Sequence, residues 1–116
     1  MLTKTNYLAY IQCPKRLWLT THRPHLATAP DSTALRRLQA GQEVDEAARE
    51  EFTEGILIPH HPGPQEMAML TAEAIADGAE TLFQATLATQ DLLVKADVLT
   101  QTAQGWHLIK VKSSTK

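Results

Sequence analysis

Between Thr5 and Trp18 the apolar residues Tyr7, Leu8, Ile11, Leu17 and Trp18 recur at helical spacing, with Pro14 between the two groups. Proline lacks an N–H and suits the first turn of a helix, so the pattern predicts helix, corner, helix. Residues 22–30 carry Pro24 and Pro30 and no periodicity, and read as a loop. Asp31, Ser32 or Thr33 can cap the next and longest helix, in which Leu35, Leu38, Val44, Ala47, Ala48 and Phe52 keep helical spacing until Gly55 stops it. Ile56–Ile58 predicts a brief strand ended by Pro59. A further helix is predicted from Gln65 to Asp77, with Met67, Leu70, Ala74 and Ile75 inward and Gly78 as terminator.

From Thr81 the period changes to two. Segments 81–89, 92–100 and 106–111 predict three strands in an antiparallel meander. In the second, Leu92, Val94, Ala96 and Val98 fall on one face, which the long helix is expected to cover. The opposite face gathers Lys95, Asp97, Lys110 and Lys112. The expected fold class is therefore mixed α+β, α/β in the broad sense: helices followed by a three-strand meander, in a single domain spanning residues 1–116.

Composition adds limits. At 116 residues the chain is too short for two full domains, and 43% hydrophobic with 21% charged residues is the makeup of an ordinary globular protein with a core. No apolar run approaches the roughly 18 residues of a membrane span, and the first residues lack the apolar block of a secretion signal, so a cytoplasmic location without membrane contact is expected. Cys13 is the single cysteine, which permits no internal disulfide and by itself holds no zinc or iron–sulfur cluster. The five histidines show no recognised ligand spacing and read as loop or surface residues. Trp18 and Trp106 suit either stacking on unpaired bases or packing.

Charge is strongly segregated. Residues 1–40 hold six Lys and Arg against Asp31 alone, whereas residues 41–80 hold ten acids against Arg49 alone. Exposed charges act over about 8 Å at physiological salt, so the N-terminal segment can attract phosphates although the whole chain is at −2. Solvated helix faces account for the same pattern.

The last strands bring Asp97 close to a Lys-x-Lys, Lys110 to Lys112. Spacing alone allows an exposed cross-strand ion pair or a site. The surrounding residues carry a resemblance. Ala96-Asp97-Val98-Leu99, a turn, and Trp106-His107-Leu108-Ile109-Lys110-Val111-Lys112-Ser113-Ser114-Thr115 resemble the core of the PD-(D/E)XK nucleases of the RecB type. Tyr10-Ile11-Gln12-Cys13-Pro14-Lys15-Arg16-Leu17-Trp18-Leu19 resembles the N-terminal opening of the CRISPR-associated RecB-like exonucleases. Gly41-Gln42-Glu43-Val44, followed by Ala47-Ala48-Arg49, is similar to the helix motif preceding their sheet.

The resemblance implies metal-dependent DNA cleavage. Mg²⁺ or Mn²⁺ polarises the phosphate and activates water, and a lysine steadies the developing charge. Asp97 would be a metal ligand, the Val111 carbonyl a second, and Lys112 the catalytic lysine. The family places an acid at position 110, where this chain has Lys110, an ammonium able to neutralise Asp97 instead. Glu43 or Asp45 would assist a metal or simply lie exposed on an acidic helix. Lys15, Arg16, Lys95 and Lys110 are candidate DNA contacts. Cys13 would join an iron–sulfur cluster only with three downstream cysteines, so no cluster is expected for this chain alone. Relatives continue into a helix and strand, so the expectation is an N-terminal portion with an incomplete restriction-endonuclease-like core. Its open sheet edge would be covered by the missing C-terminal half, a second subunit or a partner protein. Two functions are expected: a nuclease fragment or degenerate homologue, or a non-catalytic module binding nucleic acid or protein through its basic N-terminal region and open edge.

Overall fold

A computed structural model describes residues 2–112. Strand β1 (Leu2–Thr3) leads into α1 (Lys4–Gln12), where the Thr3 hydroxyl accepts the Asn6 N–H at 3.1 Å and caps the helix. Cys13 is extended, and Pro14 opens α2 (Pro14–His22), giving the predicted corner. A single 3₁₀ turn at Pro24–Leu26 occupies the loop. The Asp31 carboxylate then caps α3 (Ser32–Glu50) by accepting the Ala34 N–H at 2.8 Å. β2 (Ile56–Leu57), α4 (Pro64–Ala76), β3 (Thr81–Ala88), β4 (Leu92–Thr102) and β5 (Gly105–Ile109) follow in that order. Gly78, at φ +93°, turns the chain out of α4 in a conformation that side-chain-bearing residues resist.

The strands form one open, mixed sheet in the order β1-β4-β3-β2, with β5 also on β4. The fold is mixed α+β, and β3–β4–β5 is the antiparallel meander read from the period of two. Two short parallel strands extend it: β2 pairs with β3, and β1, which the sequence pattern did not reveal, pairs Leu2 with Leu92. Since β3 occupies one edge of β4, β1 and β5 share the other, at residues 92–93 and 98–102. No described helix is long and apolar enough to cross a membrane.

The core lies under α4. Ile58, Met67, Leu82, Ala85, Ala96 and Leu99 form the buried cluster, with Leu70, Ala74, Ile75 and Ala79 packed against it. Thr71 is buried beside them; its hydroxyl donates to the Met67 carbonyl at 2.8 Å and accepts the Thr86 N–H at 3.0 Å, joining α4 to β3.

Two expectations are corrected here. The long helix α3 buries no residue, and its Leu35 and Leu38 stand 55% and 61% exposed. The short connection from Asp77 to Glu80 drops the apolar α4 directly onto β3, whereas α3 lends only half-buried Val44, Asp45, Ala48 and Arg49, followed by Phe52, whose ring meets Phe83 edge-on at 6.4 Å. Strict alternation also fails. Leu82 and Ala85 reach the same cluster although three positions apart, as do Ala96 and Leu99, while Leu92 and Val94 are exposed. The cause is Gln84, at φ +58°, which leaves the ladder together with the facing Asp97, while the pairs Phe83–Val98 and Ala85–Ala96 on either side keep register. A non-glycine residue in that region costs on the order of 1 kcal/mol or more and is kept only where its surroundings fix it.

Candidate functional site

Asp97 owes its position to this break in the ladder, since it faces Gln84 without joining a paired rung. Its carboxylate is mostly shielded, at 14% exposure, and is held from the β5 side. Oδ2 accepts the Val111 N–H at 2.7 Å and lies 3.1 Å from the Lys110 Nζ. Lys110 Nζ also points at the Lys95 carbonyl, 3.5 Å away, a long contact for a hydrogen bond. The chain of β5 therefore bends onto a side chain of β4 beyond Ile109, which is why the strand predicted to reach Val111 ends early.

On α3, Gly41, Val44 and Asp45 are three and four residues apart and share one helical face. They line a pocket of about 310 Å³ with Asp97, Lys110, Val111 and Lys112. A side chain at Gly41 would meet nothing, so that wall is open. Burial pushes the Asp45 carboxyl up, and the charge of Asp97 pushes it the same way, against the opposing pull of Arg49 and Lys110. Asp45 is thus within electrostatic reach of Asp97, Arg49 and Lys110, and Asp97 is itself paired with Lys110.

The sequence reading is brought together in part. Asp97, Val111, Lys112, Lys110 and Asp45 share the pocket, whereas Lys95 does not line it and is linked to it only by its carbonyl, which the Lys110 ammonium approaches. Glu43 does not line it; it is exposed and accepts from Gln39 Nε2 at 3.4 Å. Lys15, Arg16 and the exposed Cys13 lie elsewhere, along a largely apolar groove of about 530 Å³ with Arg23, Leu19 and Leu26. Gly41 and Arg49 belong to the helix motif of the resemblance but not to the candidate site residues; Gly41 lines the pocket, and Arg49, four residues from Asp45, acts on it through its charge. Ser113–Thr115 of the nuclease-like motif fall outside the described residues.

The donor set does not fit a divalent cation. Mg²⁺ demands near-octahedral oxygen ligation, and here one of the two Asp97 carboxylate oxygens, Oδ2, is already engaged by an ammonium and a main-chain N–H. Among the described residues no group of three His, Cys, Asp or Glu side chains is placed to hold a metal. Comparison of the chain with protein-family models, curated proteins and solved structures gives no match.

Proposed function

We propose that this chain is a degenerate homologue of the RecB-like PD-(D/E)XK nucleases, one that engages the DNA phosphodiester backbone and does not cleave it unaided. The observation carrying this reading is the meeting of Asp97 and Lys112 in one pocket under the α3 face of Gly41, Val44 and Asp45, with the ammonium of Lys110 on Asp97. That arrangement keeps the polarised, charged setting of a phosphodiester site and lacks a free carboxylate pair for a metal. The basic segment of residues 1–40 supplies attraction for phosphates independent of base sequence. A DNA-directed role carries with it the cytoplasmic placement expected from the sequence. The test is binding of labelled duplex and single-stranded oligonucleotides at low salt alongside a nuclease assay in Mg²⁺ or Mn²⁺. Binding that weakens steeply with salt, without turnover, supports the proposal; turnover by the wild-type chain, or no binding at low salt, defeats it.

A specific observation favours a second reading for another face. Tyr7, Leu8, Tyr10, Ile11 and Trp18 on α1 and α2 are each more than half exposed, a density of apolar surface that suits contact with another polypeptide. Sedimentation across protein concentration and salt distinguishes it, because apolar association persists at high salt whereas phosphate binding does not.

A further inference from the structure

The ammonium of Lys110 sits where the chemistry of a phosphodiester site calls for a cation. It lies 3.1 Å from a carboxylate oxygen and 3.5 Å from a main-chain carbonyl, two hard oxygen donors of the kind that bind Mg²⁺. An ammonium has three N–H donors, so with two directed at Asp97 and Lys95 one remains for a ligand. Its side chain is 41% exposed and lines the pocket, so a ligand there can reach it. Lys112 lines the same pocket, and among the described residues it makes no ion pair.

The charges balance without a metal. Asp97 is paired with Lys110, and the charges of Arg49 and Lys110 oppose, without overcoming, the rise that burial and Asp97 impose on the Asp45 carboxyl. With Lys110 engaged by Asp97, Lys112 is the lysine of the pocket lining that no carboxylate pairs among the described residues. A divalent ion arriving beside Asp97 would have to displace Lys110 or face its charge at close range.

We infer that Lys110 turns this pocket into a metal-independent binding site for a phosphodiester, its ammonium standing in for the cation on Asp97 while Lys112 meets the phosphate. The inference rests on the DNA-binding reading above and specifies how that site works. An anion enters between two ammonium groups; no bond is made or broken, and chelators leave binding unchanged.

The test uses the whole chain, a labelled oligonucleotide read by fluorescence anisotropy, and Mn²⁺ alone read by calorimetry. For the wild type, equal DNA affinity in EDTA and in Mg²⁺, with no Mn²⁺ heat, is expected. Lys110→Met is expected to lower DNA affinity several-fold and to reduce the salt slope by about one, as for loss of one phosphate contact. Lys110→Arg, which retains the charge, is expected to stay within about twofold of the wild type, and it keeps the test decisive if the methionine variant does not fold. Lys110→Glu is expected to gain Mn²⁺ binding that Asp97→Asn in the same chain removes. Wild-type DNA binding that needs Mg²⁺, or wild-type Mn²⁺ binding abolished by Asp97→Asn, overturns the inference while leaving the DNA reading intact. No oligonucleotide binding in either condition overturns both.

Discussion

The main-chain N–H of Val111 donates to Oδ2 of Asp97 at 2.7 Å, so a side-chain carboxylate takes over the pairing of the chain where β5 ends at Ile109. Asp97 thereby has a structural duty apart from any ligand. Asp97→Ala leaves this N–H and the Lys110 ammonium without their acceptor, and hydrogen bonds to a charged group are worth about 1.5–3 kcal/mol. Because Lys110 is well exposed, the ion pair itself adds little, no more than about 1 kcal/mol. Urea denaturation is expected to show Asp97→Ala clearly destabilised and Asp97→Asn, which keeps an acceptor, distinctly less so. Equal losses for the two would remove the Val111 contact as the cause.

A second hydrogen-bonded pair fixes α4 to the sheet. Thr71 Oγ1 receives the Thr86 N–H at 3.0 Å in a buried setting, and Thr71→Val strands that N–H away from water. The expected cost is about 1–3 kcal/mol, with Thr71→Ser close to wild type. Thr86 offers the opposite case. Among the described residues its own hydroxyl is buried without a partner, so Thr86→Val, of nearly the same shape, is expected to be neutral or stabilising. Paired denaturation curves for these three variants check the assignment directly.

Much of this fold was legible because its cues are local. Pro14, the Asp31 cap, Gly78 and the change of period at Thr81 each act on the residues beside them, and the corresponding elements form where the pattern puts them. The failures are non-local. The apolar positions of α3 and α4 look alike in periodicity, and the choice of which helix covers the sheet is made by the short link from α4 into β3. Gln84 gives no glycine signal for its positive φ, so the side switch that gathers Leu82 with Ala85 had no sign in the residue order. For the site, the meander brought Asp97 and Lys112 to one pocket, and Asp45 came with them through the spacing of its helix face. Glu43 and Asp45 were alternatives in the sequence, and only the rotation of α3 about its axis, a tertiary property, separates them.

Asp45 gives the pocket a pH signature. Burial first, and Asp97 second, raise its carboxyl above the usual range, so folding takes up protons between the unfolded and folded values. The sign follows: the penalty of holding Asp45 charged is absent below the ordinary carboxylate pKa and is fully developed once the pH has risen through the raised folded value. Asp45→Asn removes the penalty. Relative to wild type, the variant is expected to gain stability at neutral pH and to lose that advantage as the pH falls toward the ordinary carboxylate range, measured as the difference in urea midpoint from acid to neutral pH. A constant difference across that range would show that Asp45 is not the responsible group.

The two basic regions make separable demands on DNA. Lys112 and Lys110 face the Asp97 pocket, while Lys15, Arg16 and Arg23 border the apolar groove between α2 and the 3₁₀ turn. Each phosphate neutralised by a basic side chain steepens the dependence of log affinity on log salt by about 0.9 on duplex DNA and about 0.7 on single strands. If one strand runs across both regions, replacing Lys15 and Arg16 together by alanine lowers the slope by up to about two on duplex DNA, and replacing Lys112 lowers it by about one more. The losses then add, because the residues touch different phosphates and share no partner. Fluorescence anisotropy over a series of salt concentrations gives all the slopes in one experiment. An unchanged slope for the Lys15 and Arg16 pair would confine DNA to the pocket and leave the N-terminal groove to its apolar residues; an unchanged slope for Lys112 would take the phosphate out of the pocket.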